Sequence, residues 1–149
     1  MRLTSFTDYT LRVLMYLALN PDRLATIQEI AQAYAISESH LTKVVHHLAK
    51  SEDIESVRGK GGGIRLARPA GEIRIGEVIR RAEGDSPIVE CMQADGNCRI
   101  TPACKLAKIL NDAFSALFDH LDEYSLADLT QQPQALVRFF VSDTRRAQL

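Results

Sequence analysis

The sequence predicts a mainly α-helical fold that contains one small β-hairpin and ends in a long helix. Apolar residues three and four positions apart in residues 4–20 and 101–124 are typical of helices. Between these segments, two short β-prone runs in residues 54–68 flank the stretch RGKGGG, which indicates a hairpin. Together these patterns predict a winged helix-turn-helix domain followed by a long dimerisation helix.

Length and composition are those of an ordinary globular chain. The 149 residues are 46% hydrophobic and 25% charged, which allows one well-cored domain with an appendage. The most apolar stretch, residues 11–19, is short and contains Arg12, so we expect neither a membrane span nor an export signal. We therefore expect a cytoplasmic protein with reduced thiols.

The net charge of −1 conceals an uneven distribution. Residues 1–70 carry nine Lys and Arg against seven Asp and Glu, a net of +2, and residues 71–149 carry nine against twelve, a net of −3. Residues 54–68 contain four basic residues and one acidic residue. The first half thus contains a local basic patch suited to a nucleic-acid partner.

A helix-turn-helix follows the first helix. The stretch TIQE at 26–29 fits a capping box that starts a short helix, and Ser37 is placed to cap a third helix that reaches about residue 51. One face of the third helix is apolar and the other is polar and cationic. An ordinary helical hairpin with a solvated face would show the same pattern. The candidate DNA contacts on and beside the polar face are Ser37, Ser39, His40, Thr42, Lys43, His46 and Lys50.

The hairpin of residues 54–68 decides between these readings, because a basic hairpin directly after a helix-turn-helix is a wing. Its tip contributes Arg58, Gly59 and Lys60, where glycine permits close approach to DNA and the cations attract phosphate. A phosphate-binding loop would need a helix after the glycines, whereas here a second strand follows. With a fourth helix at 73–83, the predicted DNA-binding domain spans residues 1–84.

A long helix is predicted over residues 101–124, with Thr101 as its cap and Pro102 at its first position. A narrow apolar seam along it favours pairing with a second copy, although a helix packed on its own domain is the alternative. The seam consists of Leu106, Leu110, Ala113, Leu117, Leu121 and Tyr124. Residues 125–149 are expected to form a short final helix and a tail.

All three cysteines lie in residues 85–104, separated by gaps of six and five residues. Structural zinc usually needs four ligands with shorter gaps, and a thiol switch needs only two cysteines. An iron–sulfur cluster is larger, so Cys91, Cys98 and Cys104 can reach three of its corners, and the spacing favours this site over the other two. Nearby acids that could add a fourth ligand, or be simple surface residues, are Asp85, Glu90 and Asp95.

Three stretches together resemble one family of bacterial regulators: LTSFTDYTLRVLMYLA, VRGKGGGIRLARP and CRITPACKL. The family comprises dimeric winged-helix repressors that carry iron–sulfur clusters, and the likeness, over about residues 1–130, is to its nitric-oxide-sensing members. The resemblance implies a homodimer on a palindromic DNA operator, with a [4Fe-4S] or [2Fe-2S] cluster. It also implies that Asp8 of the partner subunit completes the coordination, although an acid at this place also suits the start of a helix. Arg12, one helical turn later, is spaced to hold that carboxylate. Since a carboxylate is the weakest of the four ligands, we expect nitric oxide to relieve repression by displacing it.

Three other functions are alternatives to this one. A sibling regulator that senses iron or cluster status would share the fold and the site, and a cluster-free thiol-redox repressor would share the fold alone. For an enzyme we find no catalytic constellation in the sequence, so we expect a protein without catalytic activity.

Overall fold

Helices dominate the part of the chain that the structure, a computed structural model, describes: residues 2–84, 89 and 98–142. One antiparallel hairpin and a 3-10 helix at Ala70–Glu72 complete the secondary structure of these residues, which confirms the predicted fold class. The elements in chain order are α1 (Ser5–Leu19), α2 (Ile27–Tyr34), α3 (Glu38–Lys50), β1 (Ile54–Val57), β2 (Gly63–Leu66), α4 (Ile75–Glu83), α5 (Leu106–Asp122), α6 (Leu126–Leu129) and α7 (Pro133–Ser142).

The first three helices begin where hydroxyl side chains accept orphan backbone N–H groups. Thr4 accepts from the N–H of Thr7, and Ser37 accepts from that of His40. Thr26 and Glu29 form the predicted capping box. These caps fix the starts of α1, α2 and α3, and hence the position of α3 relative to its turn.

The core lies between α1, α3 and α4. Val13, Leu14 and Leu17 of α1 are buried against the apolar face of α3, whose four predicted members are all buried: Leu41, Val44, Val45 and Leu48. Because this face is fully used in the core, the opposite face of α3 points outward.

The hairpin is held at the domain by a third backbone segment. Strands β1 and β2 pair from Ile54 opposite Leu66 to Val57 opposite Gly63. Beyond β2, Ala25 exchanges two backbone hydrogen bonds with Ile64, at 2.8 and 3.0 Å. Strand β2 is therefore fixed, close to its turn end, to the segment that precedes α2.

The long helix starts later than predicted, at Leu106 rather than at residue 101. The hydroxyl of Thr101 donates back to the carbonyl of Cys98, 2.9 Å away, and does not accept from a helical N–H group. Residues 98–104 form a separate turn, closed by a 2.9 Å bond from the N–H of Cys104 to the carbonyl of Ile100. The prediction that Cys104 lies in the first helical turn was therefore wrong, since it precedes the helix by two residues.

At its other end the long helix stops at Asp122, two residues short of Tyr124. The chain then becomes extended and pairs with the segment before α4: Ile75 donates to the carbonyl of Tyr124, and Leu126 donates to that of Ile73. Ser125 begins α6 as half of a capping box with Asp128, and two short helices, α6 and α7, stand where one was predicted. Among the described residues, no helix has the length and apolar character needed to cross a membrane.

Candidate DNA interface and cysteine site

A tight turn joins α2 to α3. Ala35 adopts the left-handed conformation, with φ of 52°, and its N–H closes α2. Ile36 tucks inward and Ser37 caps the next helix, so only three residues separate the two helices. This short connection gives the arrangement of a DNA-reading helix-turn-helix.

The outer face of α3 is open to solvent. The side chains predicted to contact DNA are all exposed: Ser37, Ser39, His40, Thr42, Lys43, His46 and Lys50. The hydroxyl of Thr42 donates to the carbonyl of Glu38, one turn back, so its oxygen can still accept from a DNA group. The structure shows that these residues are exposed on and beside one face of α3. Their contact with DNA bases remains a prediction.

Two aromatic residues of α1 support α3 from behind. Tyr9 lies beside His40, with ring centroids 6.2 Å apart, and Phe6 meets His47 edge to face at 5.3 Å. Burial, aided by the charge of Arg81, lowers the pKa of His47 below its ordinary value and so favours the neutral ring. The sequence does not single out Tyr9 and Phe6, because their contacts with α3 are tertiary.

The wing tip carries the other predicted DNA contacts. Arg58, Gly59 and Lys60 are exposed, and Gly59 has φ of 102°, a conformation that glycine adopts without strain. In the described part of the chain, no ion pair involves Arg58 or Lys60. Arg65, by contrast, pairs with Glu55 across the hairpin. Within the hairpin, the cationic charge available to DNA is thus concentrated at the tip.

A buried carboxylate ties the base of the wing to α3 and α4. Asp53 is 1% exposed, and its oxygens lie 2.8 Å from guanidinium nitrogens of Arg68 and Arg81. The hydroxyl of Ser51, at the end of α3, donates to the same carboxylate over 3.2 Å. This cluster, which sequence reasoning missed, sets the position of the wing relative to the exposed face of α3.

Two of the three cysteines lie in the turn before α5. Cys98 and Cys104 are unpaired thiols of intermediate exposure, and Cys91 lies outside the described residues, as do Asp85, Glu90 and Asp95. The backbone N–H of Leu106, the first residue of α5, donates to the Sγ of Cys104 over 3.4 Å. The sulfur of Cys104 therefore lies at the N-terminal, positive end of the dipole of the 17-residue helix α5.

On α1, Asp8 and Arg12 form the pair that the sequence predicts. Their charged groups are 2.9 Å apart, and the Asp8 side chain is still 49% exposed. Arg12 also lies over the ring of Tyr34, 5.6 Å from its centroid, which helps to fix the guanidinium. No cluster of three metal-ligating side chains occurs within residues 2–84, 89 and 98–142, so Asp8 does not join Cys98 and Cys104 of its own chain in a described site.

The predicted seam on α5 leaves apolar surface uncovered. Leu106 is 48% exposed, and Ile109, which the predicted seam does not include, is 61% exposed. Leu110 and Leu117 are half-buried, Ala113 is exposed, and Tyr124 lies beyond the end of the helix. Leu121 packs instead against the core of its own chain, beside Phe118. The C-terminal part of the helix is thus docked, and the N-terminal part is open.

Comparison with known proteins agrees with this architecture. Residues 3–132 match the family model Rrf2, described as an iron-dependent transcriptional regulator. The HTH-type transcriptional regulator NsrR of Bacillus subtilis is 45% identical over 140 residues, which cover 93% of this chain and 96% of that protein. NsrR of Oceanobacillus iheyensis is 47% identical over 139 residues, covering 92% and 95%.

Solved structures share the fold. Oxidized CymR of Staphylococcus aureus superposes with a TM-score of 0.66 at 28% identity, covering 85% of this chain and 93% of that one. IscR of T. potens gives a TM-score of 0.70 at 22% identity, covering 100% and 92%, and supports the fold alone. The relatives are transcriptional regulators, which agrees with the expectation that the chain is not an enzyme. With a helix-turn-helix, a basic wing and a family match over residues 3–132, the chain belongs to the Rrf2 family of iron-dependent transcriptional regulators.

Proposed function

We propose that this regulator is a homodimeric repressor whose affinity for a palindromic operator is controlled by nitric oxide through an iron–sulfur cluster. Its ligands are Cys91, Cys98 and Cys104 of one chain and Asp8 of the partner subunit. The observation that carries the proposal is the position of Cys104, whose sulfur accepts a backbone N–H group at the start of α5. The similarity to NsrR over nearly the whole chain supports the same site.

The donor set suits an iron–sulfur cluster. Thiolates are its usual ligands, and N–H groups directed at their sulfurs adjust its reduction potential. Cys98 and Cys104 lie six residues apart in one hydrogen-bonded turn, and both remain accessible. A carboxylate is a hard oxygen ligand on an otherwise thiolate-bound iron, so it is the weakest of the four bonds.

The position of Asp8 supports its proposed role as a ligand for another chain. It lies near the N-terminus of α1, its carboxylate is half exposed, and Arg12 restricts its orientation from the next helical turn. A symmetric dimer that brings α1 of one chain to the cysteine turn of the other would complete both sites at once.

The exposed apolar surface of α5 supports the dimer. Leu106 and Ile109 lie near the N-terminus of α5, close in sequence to Cys104. Pairing of this surface with its copy would remove it from water and bring the two cysteine turns near the dimer axis.

Signal transmission follows from the contacts of α1. When bound, the cluster supplies iron to which nitric oxide binds. An Asp8 that was not bound to iron would keep its pairing with Arg12, and the first turn of α1 would lose its connection to the partner subunit. Phe6 and Tyr9 in that turn contact His47 and His40, so movement of α1 moves α3. Because the two half-sites lie about one DNA turn (~34 Å) apart, a small change in the α3 separation weakens binding by both chains.

The test is Asp8→Ala, with Asp22→Ala as the matched control, since Asp22 is an exposed acid in the turn after α1. Both variants are prepared without oxygen, analysed for iron and sulfide, and titrated with nitric oxide while bound to operator DNA. We expect Asp8→Ala to retain cysteine-bound iron and to release DNA at a several-fold altered nitric oxide dose. Wild-type iron content together with a wild-type dose response would contradict the ligand assignment.

The description of the family as iron-dependent favours a second function, the sensing of iron or cluster status. The treatment that changes operator affinity distinguishes it from the first. If removal of iron with a chelator changes operator affinity whereas nitric oxide does not, the protein senses iron or cluster status. If a colourless, iron-free preparation binds DNA and releases it on mild oxidation, the protein is a cluster-free thiol-redox repressor.

A further inference from the structure

One carboxylate oxygen joins the start of α1 to the end of α4. The Oε1 of Glu83 accepts the backbone N–H of Thr4 over 2.8 Å and the hydroxyl of Thr4 over 3.0 Å. It also accepts the hydroxyl of Thr7. Three donors on a single oxygen, from residues 76 and 79 positions away in sequence, form a specific tertiary contact, which we call the Glu83 latch.

The latch lies between the two parts of the proposed cluster site. Glu83 is the last residue of α4, and the segment 85–104 that carries the cysteines follows it after Gly84. Thr7 is fully buried and directly precedes Asp8. Partial burial acts to raise the pKa of Glu83, but the bonds from Thr7 and Thr4 outweigh it and hold that pKa below the ordinary value. The latch therefore contains a charged acceptor.

Helix capping alone does not account for this contact. The cap of α1 is already made by Thr4, whose Oγ1 accepts the N–H of Thr7 over 3.2 Å. What Glu83 adds is a fixed distance between the first turn of α1 and the root of the cysteine segment. In a dimer of the proposed kind, that turn delivers its aspartate to one cluster while the segment binds the other.

We propose that Glu83 is a positioning residue, which holds the first turn of α1 so that Asp8 is presented to the cysteine site of the partner subunit. The cluster-dependent part of this inference rests on the proposed function. The latch itself does not, because it is present within a single chain without any cofactor.

The chain offers a closely matched control. Thr10 is as buried as Thr7, on the same helix, but its hydroxyl donates to the carbonyl of Phe6 within α1. Thr7→Val and Thr10→Val thus make the same chemical change, and only the first removes a latch donor. Glu83→Ala removes the acceptor, whereas Glu83→Gln keeps a neutral acceptor oxygen.

The first measurement is amide hydrogen exchange in the cluster-free protein. We expect the amides of Thr4, Thr7 and Asp8 to exchange about fivefold faster in Thr7→Val, the factor that matches the loss of one net hydrogen bond, and faster still in Glu83→Ala, which removes all three latch bonds. Thr10→Val should leave these amides as in the wild type, and Glu83→Gln should fall between. Unchanged exchange in both latch variants would overturn the proposal whatever the cluster does.

The second measurement is the rate of iron loss to a chelator without oxygen. Both latch variants should lose iron several-fold faster, in the same direction as Asp8→Ala, while Thr10→Val behaves as the wild type. If Glu83→Ala alone has an effect and Thr7→Val has none, the carboxylate acts at the iron itself and the positioning role is wrong. If Asp8→Ala has no effect on the rate of iron loss, the ligand assignment fails. Wild-type rates of iron loss in both latch variants would overturn the positioning role.

Discussion

Removal of the Asp53 carboxylate should be among the most destabilising single changes in the domain. The variant Asp53→Ala leaves the guanidinium groups of Arg68 and Arg81 next to each other without their shared counter-ion. Breaking a buried ion pair by deleting one partner costs about 3–5 kcal/mol. Both arginine side chains are about a third exposed (32% and 34%), so water relieves part of this cost and we expect about 3 kcal/mol.

The assay is urea unfolding of the cluster-free protein under reducing conditions, so that metal binding does not contribute to the free energy of unfolding. Asp22→Ala, an exposed acid, should change that free energy by less than about 0.5 kcal/mol. A double-mutant cycle with Arg68→Ala isolates the pairwise energy, which should exceed about 1 kcal/mol because the two groups are in contact. A decrease below about 1 kcal/mol in Asp53→Ala would show that the carboxylate does not stabilise the junction of α3, wing and α4.

Three further outcomes are expected. In Gly76→Ala, the new Cβ would clash with the Asp122 carboxylate, so the variant should be less stable by about 1–3 kcal/mol in the same urea assay; wild-type stability would show that α4 and α5 separate without cost. Lys60→Ala should reduce the slope of log affinity for operator DNA against log salt by about 0.9 for each phosphate that the lysine neutralises, and an unchanged slope would remove the wing tip from the interface. Hydrogen bonding to Arg23 lowers the pKa of Glu29 below its ordinary value of 4.5. The wild type should therefore be more stable than Glu29→Gln above about pH 4.5, and this difference should vanish as the pH falls through the folded-state pKa. A difference that persists at pH ~2 would contradict that linkage.

The local signals in the sequence are sufficient for the DNA-binding half of the molecule. Caps at Thr26 and Ser37 act within three residues, and the apolar face of α3 repeats at helical spacing, so both can be read without tertiary information. The wing is predictable because glycines between two β-prone runs favour a turn.

What the sequence could not supply are contacts between distant residues. Asp53 is one of many acids in the sequence, and its burial depends on two arginines brought in from other elements. Glu83 meets Thr4 only after α1 and α4 pack. The predicted start of α5 was wrong because Thr101 hydrogen-bonds backward, a choice between two local bonds that residue type does not determine.

The docking of α5 at only one end has a mechanical consequence. Arg80 pairs with Asp122 and lies over the ring of Phe118, 5.0 Å from its centroid, so the last turn of the helix is anchored on α4 and would be the pivot of any tilt. The stretch from Phe118 back to Leu106 forms an arm of about 18 Å. Tilting that arm by about 5° displaces its free end by ~1.6 Å, comparable to the ~1–2 Å helix shifts of known switching proteins. A displacement at the Leu106 end would therefore be much smaller where α5 contacts α4. On the proposed function, a signal at the cysteine turn would then reach α3 mainly through α1.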